Sequence, residues 1–176
     1  MSTPAPPRAP QYILLPVSPV FIAISLLLAL LLNLLPWGTM VGIPDFLAIV
    51  LVFWNIHQPR KVGIGIAFLC GLLLDVHDAT LLGEHALAYS LLSYGAIAIH
   101  RRVLWFTLPV QAMHVLPLFL IGQIIPLLLI LLTGSPFPGW WYFLESFVAA
   151  GLWPFTVWML MAPQRRAIDR DDNRPI

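Results

Sequence analysis

The densest group of residues able to do chemistry lies at positions 75–85, which read D-V-H-D-A-T-L-L-G-E-H. Its carboxylates and imidazoles are ligand types that Zn²⁺ and other divalent ions accept. The spacing matches no recognised metal motif, and a solvated loop also accounts for it. We therefore expect a loop here, with no bound metal ion and no cofactor. The candidate ligands are Asp75, His77, Asp78, Glu84 and His85.

Nucleophilic catalysis has little support in the sequence. No serine lies in a G-x-S-x-G or S-x-x-K frame, and neither G-x-G-D nor H-E-x-x-H occurs. The single cysteine, Cys70, lies in an apolar run, so one chain cannot form a disulfide or a cysteine metal site. We therefore expect a protein that is not an enzyme.

The composition excludes a soluble domain. Hydrophobic residues make up 60% of the 176 residues, charged residues only 10%, and the mean hydropathy is +0.88. So few charges cannot cover the surface of a soluble fold. A net charge of +1 also gives no field that would attract nucleic acid. These values predict an integral membrane protein.

Six apolar segments are the candidates for membrane crossing, and they predict an all-α protein with six transmembrane helices. The second and third are short, so a re-entrant hairpin is an alternative, but it would place Arg60 and Lys61 in hydrocarbon. The fifth is long, and its prolines predict kinks. The segments are Leu14–Leu35, Asp45–His57, Val62–Leu74, Ala86–Ile99, Val103–Thr133 and Trp140–Ala162.

The distribution of basic residues predicts the orientation. All nine lysines and arginines lie in the two tails, the second-to-third loop and the fourth-to-fifth loop, and the three opposite loops contain none. By the positive-inside rule, both termini face the cytoplasm. We expect a flexible cytoplasmic tail at 1–13, one six-helix membrane domain at 14–162 and a cytoplasmic tail at 163–176. No extramembrane piece is long enough to bury a core of its own.

Several polar residues interrupt the apolar segments. Asp75 is either a functional residue or a helix-end carboxylate that caps the following turn. Glu145 would either meet a cation on a partner helix or extend to the outer interface. For Gln111, His114 and Asn33 we expect hydrogen bonds between helices rather than a proton relay.

Small residues indicate close helix packing. Gly63, Ala67 and Gly71 recur every four residues, a pattern that lets another helix approach, either within the chain, which we favour, or in a partner. In the last segment we expect a kink at Pro154 and room for a neighbouring helix at Gly151. Trp153, at this depth, is expected to pack against protein. We count these residues as candidate packing or partner positions.

Four groups of residues stand out, in order across Leu30–Arg166. Pro36–Trp37 closes the first segment, and Trp54 is followed by Pro59–Arg60. The third group is Gly65-x5-Gly71-x3-Asp75, with Leu82–Gly83 in the next loop, and the fourth is Leu152–Trp153–Pro154 before a basic tail. Together, the four groups resemble the MreD family of rod shape-determining proteins.

The resemblance implies a small protein of the bacterial inner membrane that takes part in cell elongation. The partners it implies are MreC, the actin-like MreB, a RodA-type glycosyltransferase and a class B penicillin-binding transpeptidase. It implies no catalytic residues. Our main hypothesis is a non-enzymatic scaffold in contact with lipid and with helices of partners such as MreC; nucleic acid is not expected, and a homodimer is compatible with it.

The alternative is the small-molecule-binding membrane subunit of a transporter, because the family fold is similar to the substrate-binding subunits of vitamin transporters. Such a subunit needs a cavity lined by polar groups from several helices. The sequence offers Asn33, Ser90, Ser93, Gln111 and His114 for that lining.

Overall fold

The computed structural model describes residues 12–14, 17–36 and 42–167, and these form six α-helices. The predicted helical class and the number of helices are therefore confirmed. A short 3₁₀ helix, Trp140–Phe143, leads into the last α-helix. The helices are α1 Pro19–Asn33, α2 Phe46–His57, α3 Ile64–Asp78, α4 Glu84–Val103, α5 Leu108–Leu132 and α6 Leu144–Met161.

Two helical stretches are long and apolar enough to cross a membrane. They are α5 and the continuous run Trp140–Gln164 that contains α6. Helices α1 and α2 are apolar but shorter, at 15 and 12 residues. A 12-residue helix is about 18 Å long, so α2 alone does not match the thickness of a hydrocarbon core.

A pair of short strands joins the two ends of the described chain. Tyr12–Leu14 (β1) pairs antiparallel with Arg165–Ala167 (β2), with Tyr12 opposite Ala167. The sequence predicted no strand, and the first residues of β1 fall in the stretch 1–13 that was predicted to be a flexible cytoplasmic tail. The pairing brings the segment before α1 and the segment after α6 to the same end of the molecule.

Helix α2 is the centre of the packing. Every residue from Leu47 to Ile56 is buried, and α2 packs against α1, α4 and α6. Helix α3 packs against α4, which packs in turn against α5, and α5 packs against α6. The largest side chains of the core, Trp54 and Trp153, are fully buried.

The expected loop at 75–85 is much shorter in the structure. Helix α3 continues through Asp78, and α4 begins at Glu84, so the connection is only 79–83. Ala79, the residue that follows α3, has a left-handed φ of 53°. Gly83, the residue that precedes α4, has a φ of +105°. The predicted boundary was wrong because Asp75 was taken as the end of an apolar segment. In the structure α3 continues past Asp75, and the carboxylate is buried.

Candidate functional site

The Asp75 carboxylate joins α3 to the first turn of α4. Its side chain is fully buried. One oxygen accepts a hydrogen bond from the Gly83 N–H at 2.8 Å, and the other accepts from the His85 N–H at 2.7 Å. The Ala86 N–H and the His85 imidazole also contact this carboxylate, at 3.4 and 3.0 Å. Asp75 therefore caps the N-terminus of α4, which is one of the two roles that the sequence left open.

The five candidate metal ligands do not converge on one point. His77 contacts its neighbour Asp78 at 2.7 Å on the exposed side of α3, while His85 contacts Asp75. Among the described residues, no group of three or more His, Cys, Asp or Glu side chains is arranged to hold a metal ion.

A second polar cluster surrounds Asp45, which lies between α1 and α2. One carboxylate oxygen accepts from the Asn33 amide at 2.6 Å and from the Ala48 N–H at 2.8 Å, so Asp45 is the N-cap of α2. The other oxygen accepts from the Tyr89 hydroxyl of α4 at 2.6 Å. Asn33 thus makes the hydrogen bond between elements that the sequence predicted. The roles of Asp45 and Tyr89 were missed.

A third polar cluster joins α5 to α6. The Gln123 amide donates to the Glu145 carboxylate at 3.1 Å and to the Tyr142 carbonyl at 3.2 Å. Its own carbonyl oxygen accepts from the Ser146 hydroxyl at 2.6 Å. Glu145 therefore has a partner within the chain that the sequence analysis did not consider. A glutamine inside a long apolar segment is a recognisable signal, and on that ground Gln123 should have been singled out with Gln111.

The second and third clusters line one cavity of about 290 Å³, which we call the polar cavity. It lies among the first turns of α2, α4 and α6 and the second half of α5. Leu92, Phe119 and Ala149 form apolar parts of its wall. The polar part of the wall consists of Asp45, Glu84, His85, Tyr89, Gln123, Tyr142, Glu145 and Ser146.

Helix α5 contributes Gly122 and Pro126 to the same wall. Pro126 has no N–H to donate to the carbonyl four residues earlier, which belongs to Gly122, so the normal helical hydrogen bond to that carbonyl is missing. The wall contains several side chains that accept hydrogen bonds, and no lysine or arginine of the described residues is part of it.

The residues that the carrier hypothesis relied on do not line the polar cavity. Asn33 lines a smaller cavity of about 190 Å³ next to it. Ser90 bonds to a carbonyl of its own helix, and Ser93 accepts from Asn55. His114 is exposed and contacts a carbonyl of α5, so its predicted bond between helices is wrong.

Buried amide and indole groups tie the core helices together. The Trp153 indole donates to the Gln111 side chain at 3.3 Å, which confirms the predicted packing of Trp153 and the bond between helices at Gln111. The Asn55 amide donates to Ser93 at 2.9 Å, while its carbonyl oxygen is buried without a partner. Asn55 was missed, although a lone amide in an apolar segment of 12 residues is conspicuous.

The predicted small-residue face comes closest to another helix of the chain at Gly71. A Cβ atom added at Gly71 would lie 2.5 Å from the Ala86 backbone, so α3 and α4 meet here at closest approach. Ala67 is fully buried, whereas Gly63 has nothing within 4 Å of an added Cβ. Gly71 and Ala67 therefore pack within the chain, whereas Gly63 makes no such close contact among the described residues.

The remaining candidate positions differ in environment. Gly151 is exposed with nothing within 4 Å of an added Cβ, so none of the described helices fills the room expected there. Pro154 lies inside α6, as predicted. Pro36 is exposed, and Trp37 lies outside the described residues.

Comparisons with known proteins give one consistent result. The family model described as rod shape-determining protein MreD matches residues 16–162. The chain is also 32% identical over 147 residues to the rod shape-determining protein MreD of Haemophilus influenzae, covering 80% of this chain and 88% of that protein. No solved structure matches the chain.

Proposed function

Because this chain belongs to the MreD family of rod shape-determining proteins, we propose that it is a non-enzymatic scaffold of the cell-elongation machinery in the bacterial inner membrane. The observation that carries the proposal is the use of its buried polar groups. Asp75, Asn33, Gln111 and Gln123 each bond to a different helix or its cap, so these groups hold the bundle together. Such a rigid bundle can present fixed outer surfaces to partner helices.

The surfaces available to lipid and partners lie on the outer helices. Large apolar side chains are exposed along α1, for example Val20 at 63%, and along α3, for example Val76 at 68%. We propose that such faces contact the anchor of an MreC-like protein with a single membrane helix. Through it the chain would join an MreB-type filament, a RodA-type glycosyltransferase and a class B penicillin-binding protein in lateral peptidoglycan synthesis.

We also propose that all six helices cross the membrane with both ends in the cytoplasm. Two contacts support this topology. The β1–β2 pair joins the two ends of the described chain, and the Lys61 ammonium donates to the Val17 carbonyl at 2.6 Å. The second contact brings the loop between α2 and α3 to the segment that precedes α1. Both agree with an even number of crossings and with basic residues on one side.

Reporter fusions test the topology. We expect fusions after Arg102 and at the C-terminus to report the cytoplasm, and a fusion after Gly134, between α5 and α6, to report the outer side. The physical reason is the cost of moving an arginine pair across hydrocarbon. A fusion after Met1 serves as the control for the cytoplasmic signal. Opposite locations for Arg102 and the C-terminus would contradict the six-crossing topology.

Deletion of the gene tests the proposed function. In the bacterium that encodes this chain, we expect loss of the protein to give rounded cells and a lower level of the MreC-like protein, because that protein loses its helix contacts. Microscopy and quantitative immunoblotting measure the two effects. Expression of the wild-type chain from a plasmid is the control and should restore rods. Normal rods after deletion, or purified chain that turns over a substrate unaided, would contradict the scaffold.

A further inference from the structure

The polar cavity holds negative charge without a matching cation. Three carboxylates, those of Asp45, Glu84 and Glu145, are part of its wall. Its other titratable groups are the Tyr89 and Tyr142 hydroxyls and the His85 imidazole, and the imidazole is in contact with Asp75.

All lysines and arginines of the described residues lie at the other end of the bundle. They follow α2, lie in the last turn of α4 or belong to β2, whereas the polar cavity lies among the first turns of α2, α4 and α6. Carboxylates grouped in a protein embedded in a membrane are costly without a positive partner. No lysine or arginine of the described residues can therefore neutralise the carboxylates of this cavity. The basic residues concerned are Arg60, Lys61, Arg101, Arg102, Arg165 and Arg166.

The hydrogen-bonding pattern also favours a donor as the occupant. Glu145 accepts from the Gln123 amide and from the Asp45 backbone, and the Gly122 carbonyl lacks its helical donor because of Pro126. Carboxylate and carbonyl oxygens accept, whereas an ammonium or guanidinium group only donates. An incoming cation with several N–H groups would bond to this wall directly.

The shape of the polar cavity fits a cation on an apolar stem. The wall combines the acceptors with the apolar side chains of Leu92, Phe119 and Ile130 and the rings of Tyr89 and Tyr142. Lysine and arginine side chains bury their methylene stems against such surfaces and place the charge on polar groups or aromatic faces. An amino-lipid headgroup fits less well because its phosphate would meet carboxylates and no basic residue.

We propose that the polar cavity receives a lysine or arginine side chain from a partner membrane protein, inserted between the first turns of α4 and α6. This inference rests on the proposed scaffold function and identifies the chemistry of one of its contacts. The inserted side chain would pair with Glu145 and Glu84 and fix the partner in one register. Truncating one member of such a buried charged pair usually weakens a complex by more than tenfold.

Co-purification tests the inference with the full chain. The tagged chain is expressed with its elongation partners in the native host, solubilised and purified, and the recovered MreC-like protein is quantified by mass spectrometry. We expect the double variant Glu84→Gln, Glu145→Gln to recover about tenfold less partner than the wild type. Both substitutions keep the side-chain size, remove the negative charge and replace one acceptor oxygen by an NH2 group. Asp78→Asn is the matched control, because Asp78 is an exposed carboxylate at the same end that lines the smaller neighbouring cavity and is not part of the wall of the polar cavity.

Folding of the variants is checked by gel filtration and melting in detergent. If the double variant does not fold, Glu84→Gln alone serves as the test, since Glu84 is only half-buried on the first turn of α4, and a reduced recovery is still expected. A second arm adds n-butylguanidinium to the purified wild-type complex. This cation should release the partner, whereas n-butanol, which lacks the charge, should not.

The outcomes separate the inference from the proposed function. If the wild-type chain recovers no partner, the scaffold proposal fails and the inference fails with it. If the double variant recovers as much partner as the wild type, the inference is overturned while the scaffold stands. Lipid mass spectrometry tests whether an amino-lipid occupies the polar cavity instead. An amino-lipid that co-purifies with the wild type and is lost only from the double variant would also overturn the inference.

Discussion

Replacement of Asp75 by alanine is expected to destabilise the bundle by about 3–5 kcal/mol, because the buried N–H group of Ala86 and the half-buried N–H groups of Gly83 and His85 lose their acceptor together. Each orphaned backbone donor in a buried position costs about 1–3 kcal/mol. Thermal unfolding in detergent micelles, followed by circular dichroism, measures the loss. Asp75→Asn keeps one acceptor oxygen and should give an intermediate value.

The control for this prediction is Asp78→Ala on the same helix. The Asp78 side chain is 40% exposed and contacts only its neighbour His77. Its removal should change stability by no more than about 0.5 kcal/mol. Equal stability of the Asp75 and Asp78 variants would show that the α4 cap contributes little to the fold.

The second large effect is expected at Gly71. Alanine at this position would put a Cβ atom 2.5 Å from the Ala86 backbone, and a backbone cannot move aside as a flexible side chain does. Helices α3 and α4 would have to separate, at a cost of about 1–3 kcal/mol. The same unfolding measurement tests it.

Gly65→Ala is a control of opposite sign. Gly65 lies on the exposed side of α3 with nothing within 4 Å of an added Cβ. Alanine is a better helix former than glycine by up to about 1 kcal/mol, so this variant should be as stable as the wild type or more stable. Destabilisation by both substitutions to the same extent would contradict the close contact between α3 and α4.

The sequence predicted the helices well, and the reason is the apolar segments themselves. Long runs without charge leave little choice but helix, and prolines and charges mark their ends. The boundary between α3 and α4 was wrong because a charged residue usually ends an apolar segment. Here three N–H groups of the next helix compensate Asp75, and that compensation depends on a turn whose path a linear pattern does not reveal.

The polar cavity was not predictable from single residues. Its wall joins positions that are distant in the sequence: Tyr89 bonds to Asp45 across 44 residues, and Gln123 to Glu145 across 22. The sequence does reveal a polar residue in an apolar segment, as it did for Asn33 and Gln111. It does not reveal which of these residues face each other, because small rotations of a helix decide that. For this reason the carrier hypothesis included Ser90 and His114, whose side chains instead bond to carbonyls of their own helices.

Because α2 is enclosed by other helices of the chain, mutations in α2 should give a different phenotype from mutations on the outer helices. Every residue from Leu47 to Ile56 is buried by neighbouring helices of the same chain, and within this stretch the polar cavity reaches only Ala48. Defects from Ile49 to Ile56 should therefore act through the abundance of the protein, and a compensating change in another gene cannot be specific to the allele. Genetic screens for allele-specific suppressors should yield positions on α1, α3, α4, α5 and α6, with none from Ile49 to Ile56.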